Sequence, residues 1–286
     1  MKKILVPTDF SSCAANALNF AVQTAKFYPI EINLLHVVDR TDSLYGERVD
    51  IAQEKHSTIL EEVQKRLDQV KTSIAETESV EIRTFLREGA VDENILELSK
   101  EKNIELIVMG TFGINGLKDS IWGSKTAGLT GKAKIPVLVI PYEYNWKVPA
   151  KILLATSFFE EDRHVLEHII GLRNAFKATL HAVIFTDEDT ADAALFLEHG
   201  MNMADYERKL KKQLNTESII TSHLFGHKFE DALQDYIKNN DIDILAMITY
   251  QRSLWDRVFR PSVTRRMSYH TTIPLLVIPA NKEDEE

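Results

Sequence analysis

Three glycines and a serine follow one apolar run in the spacing Gly-x2-Gly-x9-Gly-Ser, as Gly110, Gly113, Gly123 and Ser124. The apolar run before Gly110 predicts a buried strand, and the residues from Gly123 onward predict the start of a helix. Glycines between a strand and a helix let backbone N–H groups approach a phosphate without interference from Cβ atoms. The chemistry that this spacing indicates is therefore the binding of a phosphate group.

The same sequence architecture returns 138 residues later without the glycines. Ile242-Asp-Ile-Leu-Ala-Met matches Ile104-Glu-Leu-Ile-Val-Met, and Ile273-Pro-Leu-Leu-Val-Ile-Pro matches Ile135-Pro-Val-Leu-Val-Ile-Pro at the same offset. The positions of Gly110, Gly113, Gly123 and Ser124 become Ile248, Gln251, Pro261 and Ser262, and Asp9 becomes Ser157. Bulky side chains obstruct close backbone approach and proline lacks an N–H donor. We therefore predict that the second half does not bind a phosphate in this way.

Alternating strand and helix patterns in both halves predict parallel sheets covered by helices on both faces. In the first half the predicted strands are Ile4–Val6, Glu31–Val38, Val80–Leu86, Leu106–Met109 and Val137–Ile140. Ser11 or Ser12 could cap the first helix. The stretch from Tyr142 to Ala150 breaks the pattern and is predicted to be an interdomain linker. The predicted domains are residues 1–143 and 150–281.

Composition restricts the class of protein. The chain has 286 residues, enough for two domains, with 44% hydrophobic and 27% charged residues and a net charge of −9. The acidic balance argues against nucleic acid or an anionic membrane as the main partner. No apolar run is long enough to span a bilayer. The single cysteine, Cys13, forms no intrachain disulfide, which fits a reducing cytoplasm; we predict a buried residue of the first helix, with a reactive thiol as the alternative.

These patterns resemble the universal stress protein family, specifically its tandem-domain members. The resemblance is carried by Ile4-Leu-Val-Pro-Thr-Asp9-Phe-Ser, Leu34-Leu-His-Val, Ile107-Val-Met-Gly110, the spaced glycines and Ile135-Pro-Val-Leu-Val-Ile. It implies two doubly wound α/β domains of the adenine nucleotide alpha hydrolase-like fold, each with a five-stranded parallel sheet of order 3-2-1-4-5. It also implies pairing of the domains through their last strands, with a homodimer left open. In the family, the glycine motif marks the ATP-binding subclass.

The resemblance further implies an ATP site, with Mg²⁺ left open, at the carboxyl ends of the first-domain strands. The implied site residues are Pro7, Thr8, Asp9, Val37, Val38, Met109, Gly110, Gly113, Gly123, Ser124, Lys125 and Thr126. Asp9 would lie near the adenosine or the metal–phosphate group, and it could also cap the first helix. Val37 or Val38 would lie beside adenine. Lys125 departs from the family's usual apolar residue, so it either faces solvent or adds charge near the phosphates.

The function that we expect is that of a cytoplasmic, regulatory and non-catalytic stress-response protein. A slow ATPase is the enzymatic alternative, although no general base is evident beside the glycines. A scaffold that works without nucleotide is the third alternative.

Two further residue patterns are open to a functional interpretation. His164 and His168, like His223 and His227, are spaced four apart and could hold a metal, but no third ligand is identifiable. His36 and His181 each come directly after a leucine in a predicted strand. This similarity indicates equivalent strand positions and a common structural role. Five arginines between Arg252 and Arg266 form a solvated basic face or a site for another anion or an acidic partner.

Overall fold

The computed structural model of the chain describes residues 1–39, 49–111, 124–156, 158–189, 191, 193–250 and 272–280. The chain divides into two compact units, Met1–Tyr142 and Glu143–Glu286. Within the described ranges, every helix is too short or too polar to cross a membrane.

The first unit alternates strands and helices along the chain. Its elements are β1 (Lys3–Pro7), α1 (Ser12–Ala25), β2 (Glu31–Val38), α2 (Val49–Glu78), β3 (Ile82–Glu88), α3 (Val91–Lys102), β4 (Leu106–Gly110), α4 (Ser124–Lys132) and β5 (Val137–Ile140). The strands pair in parallel in the order β3-β2-β1-β4-β5. The predicted strand order is therefore confirmed, while the third strand begins and ends two residues later than predicted.

The second unit repeats this order. Its elements are β6 (Lys151–Thr156), α5 (Arg163–Phe176), β7 (Thr179–Asp187), α6 (Ala193–Leu214), β8 (Ile219–Gly226), α7 (Phe229–Asn239), β9 (Ile244–Tyr250) and β10 (Leu275–Ala280). The strands pair in parallel in the order β8-β7-β6-β9-β10. The apolar runs that predicted these strands are buried because helices flank a parallel sheet on both faces.

Helix α1 begins with a serine cap. The hydroxyl oxygen of Ser11 accepts a hydrogen bond from the backbone N–H of Ala14 at 3.2 Å, which satisfies one of the unpaired donors of the first turn. Cys13 is 2% exposed, which confirms the prediction of a buried residue on the first helix. On α2, Ile59 is 42% exposed, whereas Leu67 is fully buried.

Strand register confirms the offset of the repeat. Ile4 lies opposite Leu106 in the first unit, and Ile152 lies opposite Ile244 in the second. Gly110 lies opposite Ile140, and Ile248 lies opposite Ile278. Leu106 and Ile244 are 138 residues apart, and so are Ile140 and Ile278. Ile248 therefore occupies the position of Gly110.

The predicted equivalence of His36 and His181 is wrong. Asn33 lies opposite Leu5 on β1, and His181 lies opposite Leu153, the matching residue of β6. His181 therefore corresponds to Asn33, while His36 corresponds to Ile184. The Leu-His sequences are alike but lie three positions apart in the sheet, and register is decided by pairing with the neighbouring strand rather than by local sequence.

The predicted linker is packed against the second unit from Glu143 onward. Tyr144 is buried, and Trp146 packs on Phe176 with ring centroids 6.0 Å apart. The Asp243 carboxylate accepts hydrogen bonds from the backbone N–H groups of Ala150 and Lys151 at 2.7 and 2.9 Å. The segment before β6 is thus held by a buried carboxylate and aromatic contacts.

Candidate functional site

The predicted site residues that the structure describes gather at one edge of the first-unit sheet. β1 ends at Pro7 and β4 ends at Gly110 on adjacent strands. On the other side of β1, Pro7 lies opposite Leu35, so Val37 and Val38 extend beyond the end of β1. In an open parallel sheet this is the edge where ligands bind, beside the strands at which the order reverses.

The turn between β1 and α1 is built by side chains that bond to its own backbone. The Thr8 hydroxyl accepts the backbone N–H of Phe10 at 3.0 Å, and Oδ1 of Asp9 accepts the backbone N–H of Ser11 at 3.0 Å. Such turns are typical of threonine and aspartate before a helix. The cap of α1 is therefore Ser11, while Asp9 stabilises the turn that precedes it and remains half-buried at the sheet edge.

His36 ties β2 to this turn. Its Nδ1 lies 2.8 Å from the carbonyl oxygen of Thr8, which can only accept, so Nδ1 carries the proton. Burial, and to a smaller extent the charge of Arg66, lower the pKa of His36, against the opposing effects of the Thr8 carbonyl and Asp9. The neutral imidazole is therefore favoured more than in water.

Gly110 is required by packing within the fold. A Cβ atom at this position would lie 2.7 Å from the backbone oxygen and from the Sγ of Cys13 on α1. The Cys13 Sγ also lies 3.4 Å from the Thr111 hydroxyl. This close helix–strand contact explains one of the four motif residues without a ligand.

Helix α4 starts against the carboxyl end of β4. The hydroxyl of Thr126 donates to the carbonyl oxygen of Gly110 at 3.1 Å, and its side chain is 3% exposed. With its single hydrogen engaged, the Thr126 hydroxyl has no donor to offer a phosphate in this conformation. The contact nevertheless brings the N-terminal turn of α4 to the same edge as Asp9, and helix N-termini favour anions.

Several predicted site residues cannot be placed in full. Gly113 and Gly123 lie outside the described residues. Ser124 and Lys125 begin α4, but only their backbone is described. Met109 precedes Gly110 on β4 and is buried.

The described residues fit a nucleotide in two respects. A helix N-terminus borders the edge, and the Asp9 carboxylate lies at the end of the adjacent strand. One or two carboxylates with substrate phosphates are what Mg²⁺ usually takes from a protein.

At the corresponding edge of the second unit, the structure describes one repeated contact and one changed glycine position. Its turn keeps the first-unit pattern, since the Thr156 hydroxyl accepts the backbone N–H of Phe158 at 2.9 Å. Ile248, at the position of Gly110, is buried, while Ser157, Gln251, Pro261 and Ser262 lie outside the described residues, as do the five arginines.

Two histidines meet at a hydroxyl on β7 of the second unit. The Thr186 Oγ1 lies 2.7 Å from Nδ1 of His199, on α6, and 2.8 Å from Nε2 of His223, on β8. Thr186 corresponds to Val38 through the shared strand register. Since a hydroxyl has one hydrogen, it donates to one imidazole and accepts N–H from the other. Sequence reasoning missed His199, because nothing in local spacing links it to His223.

The predicted histidine pair of His223 and His227 does not converge. His227 bonds to Asp189 at 2.9 Å, and this hydrogen bond, followed by the charges of Asp189 and Glu188, raises its pKa. Burial, then the neighbouring His199, lowers the pKa of His223. Among the described residues, no three His, Cys, Asp or Glu side chains are grouped so that they could hold a metal ion.

Comparison with known proteins assigns both halves to one family model. Residues 1–141 and residues 150–279 each match the universal stress protein family. The chain is similar to universal stress protein MJ0531 of Methanocaldococcus jannaschii, with 36% identity over 140 residues, 49% of this chain and 81% of that protein. It is similar to universal stress protein YxiE of Bacillus subtilis, with 36% identity over 146 residues, 48% of this chain and 97% of that protein.

Solved structures support the fold over the whole chain. A universal stress protein from Archaeoglobus fulgidus has a TM-score of 0.71 and 18% identity, over 99% of this chain and 97% of its own. A functionally unknown protein, PA1789 from Pseudomonas aeruginosa, has a TM-score of 0.59 and 17% identity, over 98% of this chain and 92% of its own. The predicted α/β fold of the adenine nucleotide alpha hydrolase-like type is confirmed.

Proposed function

The chain belongs to the universal stress protein family as a tandem-domain member, and we propose that its first domain binds ATP while its second domain does not. The binding is regulatory: the nucleotide changes conformation or partner choice in a cytoplasmic stress response. The observation that carries the proposal is the edge where α4 begins against the end of β4, beside Asp9 at the end of β1.

The difference between the domains supports a single site. Ser157 stands in the second domain at the position of the Asp9 carboxylate. Pro261, at the position of Gly123, lacks an N–H that could bind phosphate. At the position of Val38, Thr186 is engaged by two histidines. One nucleotide per chain is therefore the expected stoichiometry.

The binding would use backbone N–H groups of the segment from Gly123 into α4 for the phosphates, with Val37 or Val38 beside the base. Asp9 would contact the adenosine or a phosphate-bound Mg²⁺. Such a set of contacts corresponds to an affinity of roughly micromolar, about 8 kcal/mol.

Titration calorimetry with ATP and Mg²⁺ tests the proposal on the full chain. The wild type should bind one ATP, and Gly123→Pro should abolish the heat because it removes an N–H donor. Pro261→Gly, at the matching position of the second domain, is the control and should leave the stoichiometry at one. Unfolding of each variant without nucleotide establishes that it is folded.

Assays on the same protein variants distinguish two alternative functions, a slow ATPase and a scaffold that works without nucleotide. Phosphate release that Asp9→Ala removes would favour a slow ATPase. Absence of heat with any adenine nucleotide, together with no nucleotide released from freshly purified and denatured protein, would contradict the proposal and favour a nucleotide-independent scaffold.

A further inference from the structure

The ring of Phe10, in the turn after β1, contacts side chains of β2 and α2 at the sheet edge where we propose that ATP binds. It stacks on the imidazole of His36, with ring centroids 4.7 Å apart and planes 22° from parallel. The guanidinium carbon of Arg66, on α2, lies 4.4 Å from the centroid of the same ring. The turn after β1, the end of β2 and the exposed face of α2 thus meet at one side chain.

The backbone of Phe10 has a conformation that its own side chain makes unfavourable. Its φ is 61°, in the left-handed region that L-residues with a Cβ atom avoid. Glycine would adopt this conformation without strain. A strained aromatic residue persists only where its surroundings hold it, and such residues cluster at ligand-binding turns.

The stack anchors the residues on both sides of Asp9. Thr8 is held through its carbonyl oxygen by Nδ1 of His36, and Phe10 is held through its ring by His36 and Arg66. The Asp9 carboxylate is oriented from within the turn by the backbone N–H of Ser11. The position of Asp9 therefore depends on two neighbours whose contacts lie on other elements.

The second domain repeats the contact within the turn but has a different residue at the position of His36. The backbone N–H of Phe158 donates to the Thr156 hydroxyl, as that of Phe10 donates to the Thr8 hydroxyl. Phe158 is 40% exposed. The residue that corresponds to His36 is Ile184, so the imidazole on which Phe10 stacks is not repeated at this position of β7. The histidine and the carboxylate thus occur together in the first domain, and Ile184 and Ser157 replace both in the second.

We propose that the stack of Arg66, Phe10 and His36 is a positioning device that holds the Asp9 carboxylate in its nucleotide-binding geometry. The inference rests on the proposed function and extends it to residues that need not contact the nucleotide. Binding to a turn that is already ordered avoids the entropy loss of ordering it, so the stack increases affinity without a contact of its own.

Calorimetry with ATP and Mg²⁺ on full-length variants tests the inference. Phe10→Gly accepts the backbone conformation but removes the ring, and it should weaken binding by about tenfold. Phe10→Tyr keeps the ring and should bind within about twofold of the wild type. Arg66 is exposed on α2, so Arg66→Gln tests the stack without a risk to folding; it should weaken binding by about twofold to fivefold. Phe158→Gly is the matched control and should have no effect.

A double variant separates positioning from a direct contact. If Phe10 acts through Asp9, Asp9→Ala/Phe10→Gly should bind no more weakly than Asp9→Ala alone. Multiplied losses in the double variant, or wild-type affinity in both Phe10→Gly and Arg66→Gln, would overturn the inference while the proposed function stands. A wild type that binds no adenine nucleotide would overturn both.

Discussion

A Cβ atom on Gly110 would lie 2.7 Å from the backbone oxygen and from the Sγ of Cys13, so β4 and α1 touch with no room for a side chain. The glycine motif therefore contains a residue that packing requires, Gly110, as well as one that is proposed to bind phosphate, Gly123. Gly110 has a packing reason whether or not the edge binds a nucleotide.

Gly110→Ala should lower the free energy of unfolding of the first domain by about 1–3 kcal/mol, because overpacking displaces a backbone that has little freedom to move. Urea unfolding without nucleotide measures it. Gly131→Ala is the control: its Cβ would meet nothing within 4 Å, and alanine in a helix should leave stability unchanged or raise it by up to about 1 kcal/mol. Wild-type stability of Gly110→Ala would contradict the packing explanation.

Thr126→Val should lower the free energy of unfolding by about 1 kcal/mol, because it removes the hydrogen bond from α4 to the Gly110 carbonyl. Thr126→Ser keeps the hydroxyl and is the matched control. Since that hydroxyl is engaged within the fold, ATP affinity should change little in Thr126→Val. A large loss of affinity with unchanged stability would instead indicate that the hydroxyl contacts the ligand.

Asp243→Ala should destabilise the second domain by about 2 kcal/mol or more, because it leaves the backbone N–H groups of Ala150 and Lys151 without their acceptor. Lys147 also pairs with Asp243 but is 57% exposed, so Lys147→Ala should cost less than about 1 kcal/mol. Hydrogen exchange of a peptide spanning residues 144–151 provides a local measurement. Equal protection in Asp243→Ala and the wild type would contradict the role of the carboxylate.

Acid should destabilise the second domain through His223. Its pKa is held below the ordinary 6.5, by burial first and by His199 second. The stabilisation is therefore fully present above pH 6.5 and is lost as the pH falls through the lower folded-state pKa. His223→Gln should reduce the loss of stability on acidification, measured by urea unfolding across pH.

His227→Gln is the control for that series. The pKa of His227 is raised by Asp189, so its contribution is present below pH 6.5 and is lost as the pH rises. Removing it should not reduce the acid sensitivity. The same acid sensitivity in His223→Gln and the wild type would contradict the assignment.

Much of the fold could be predicted from local patterns. Buried parallel strands form continuous apolar runs, and the gapless repeat of two such runs identified both domains. The cap at Ser11 and the burial of Cys13 follow from residue type and helix spacing. The positions of Asp9, Val38 and Gly110 at one edge follow from their places at the ends of parallel strands.

The candidate site could be predicted only in outline. Asp9 was open to two roles, and the structure assigns the helix cap to Ser11 and the preceding turn to Asp9. Spacing along the sequence pairs His223 with His227. In the structure, His223 instead contacts the Thr186 hydroxyl, which also contacts His199. Both differences arise because a side chain bonds to what packing brings near it rather than to what is near in sequence.

From its sequence alone, this protein is determined to be a duplicated α/β chain whose halves differ at one glycine-bearing edge, since apolar periodicity, turn residues and repeats are local properties. Only the tertiary structure decided that His181 lies at the position of Asn33 and that Cys13 leaves no room for a side chain on Gly110. It alone also decided that Phe10 stacks on His36. These relationships depend on strand register and on helix-to-sheet distance. Both are set by packing among segments distant in sequence.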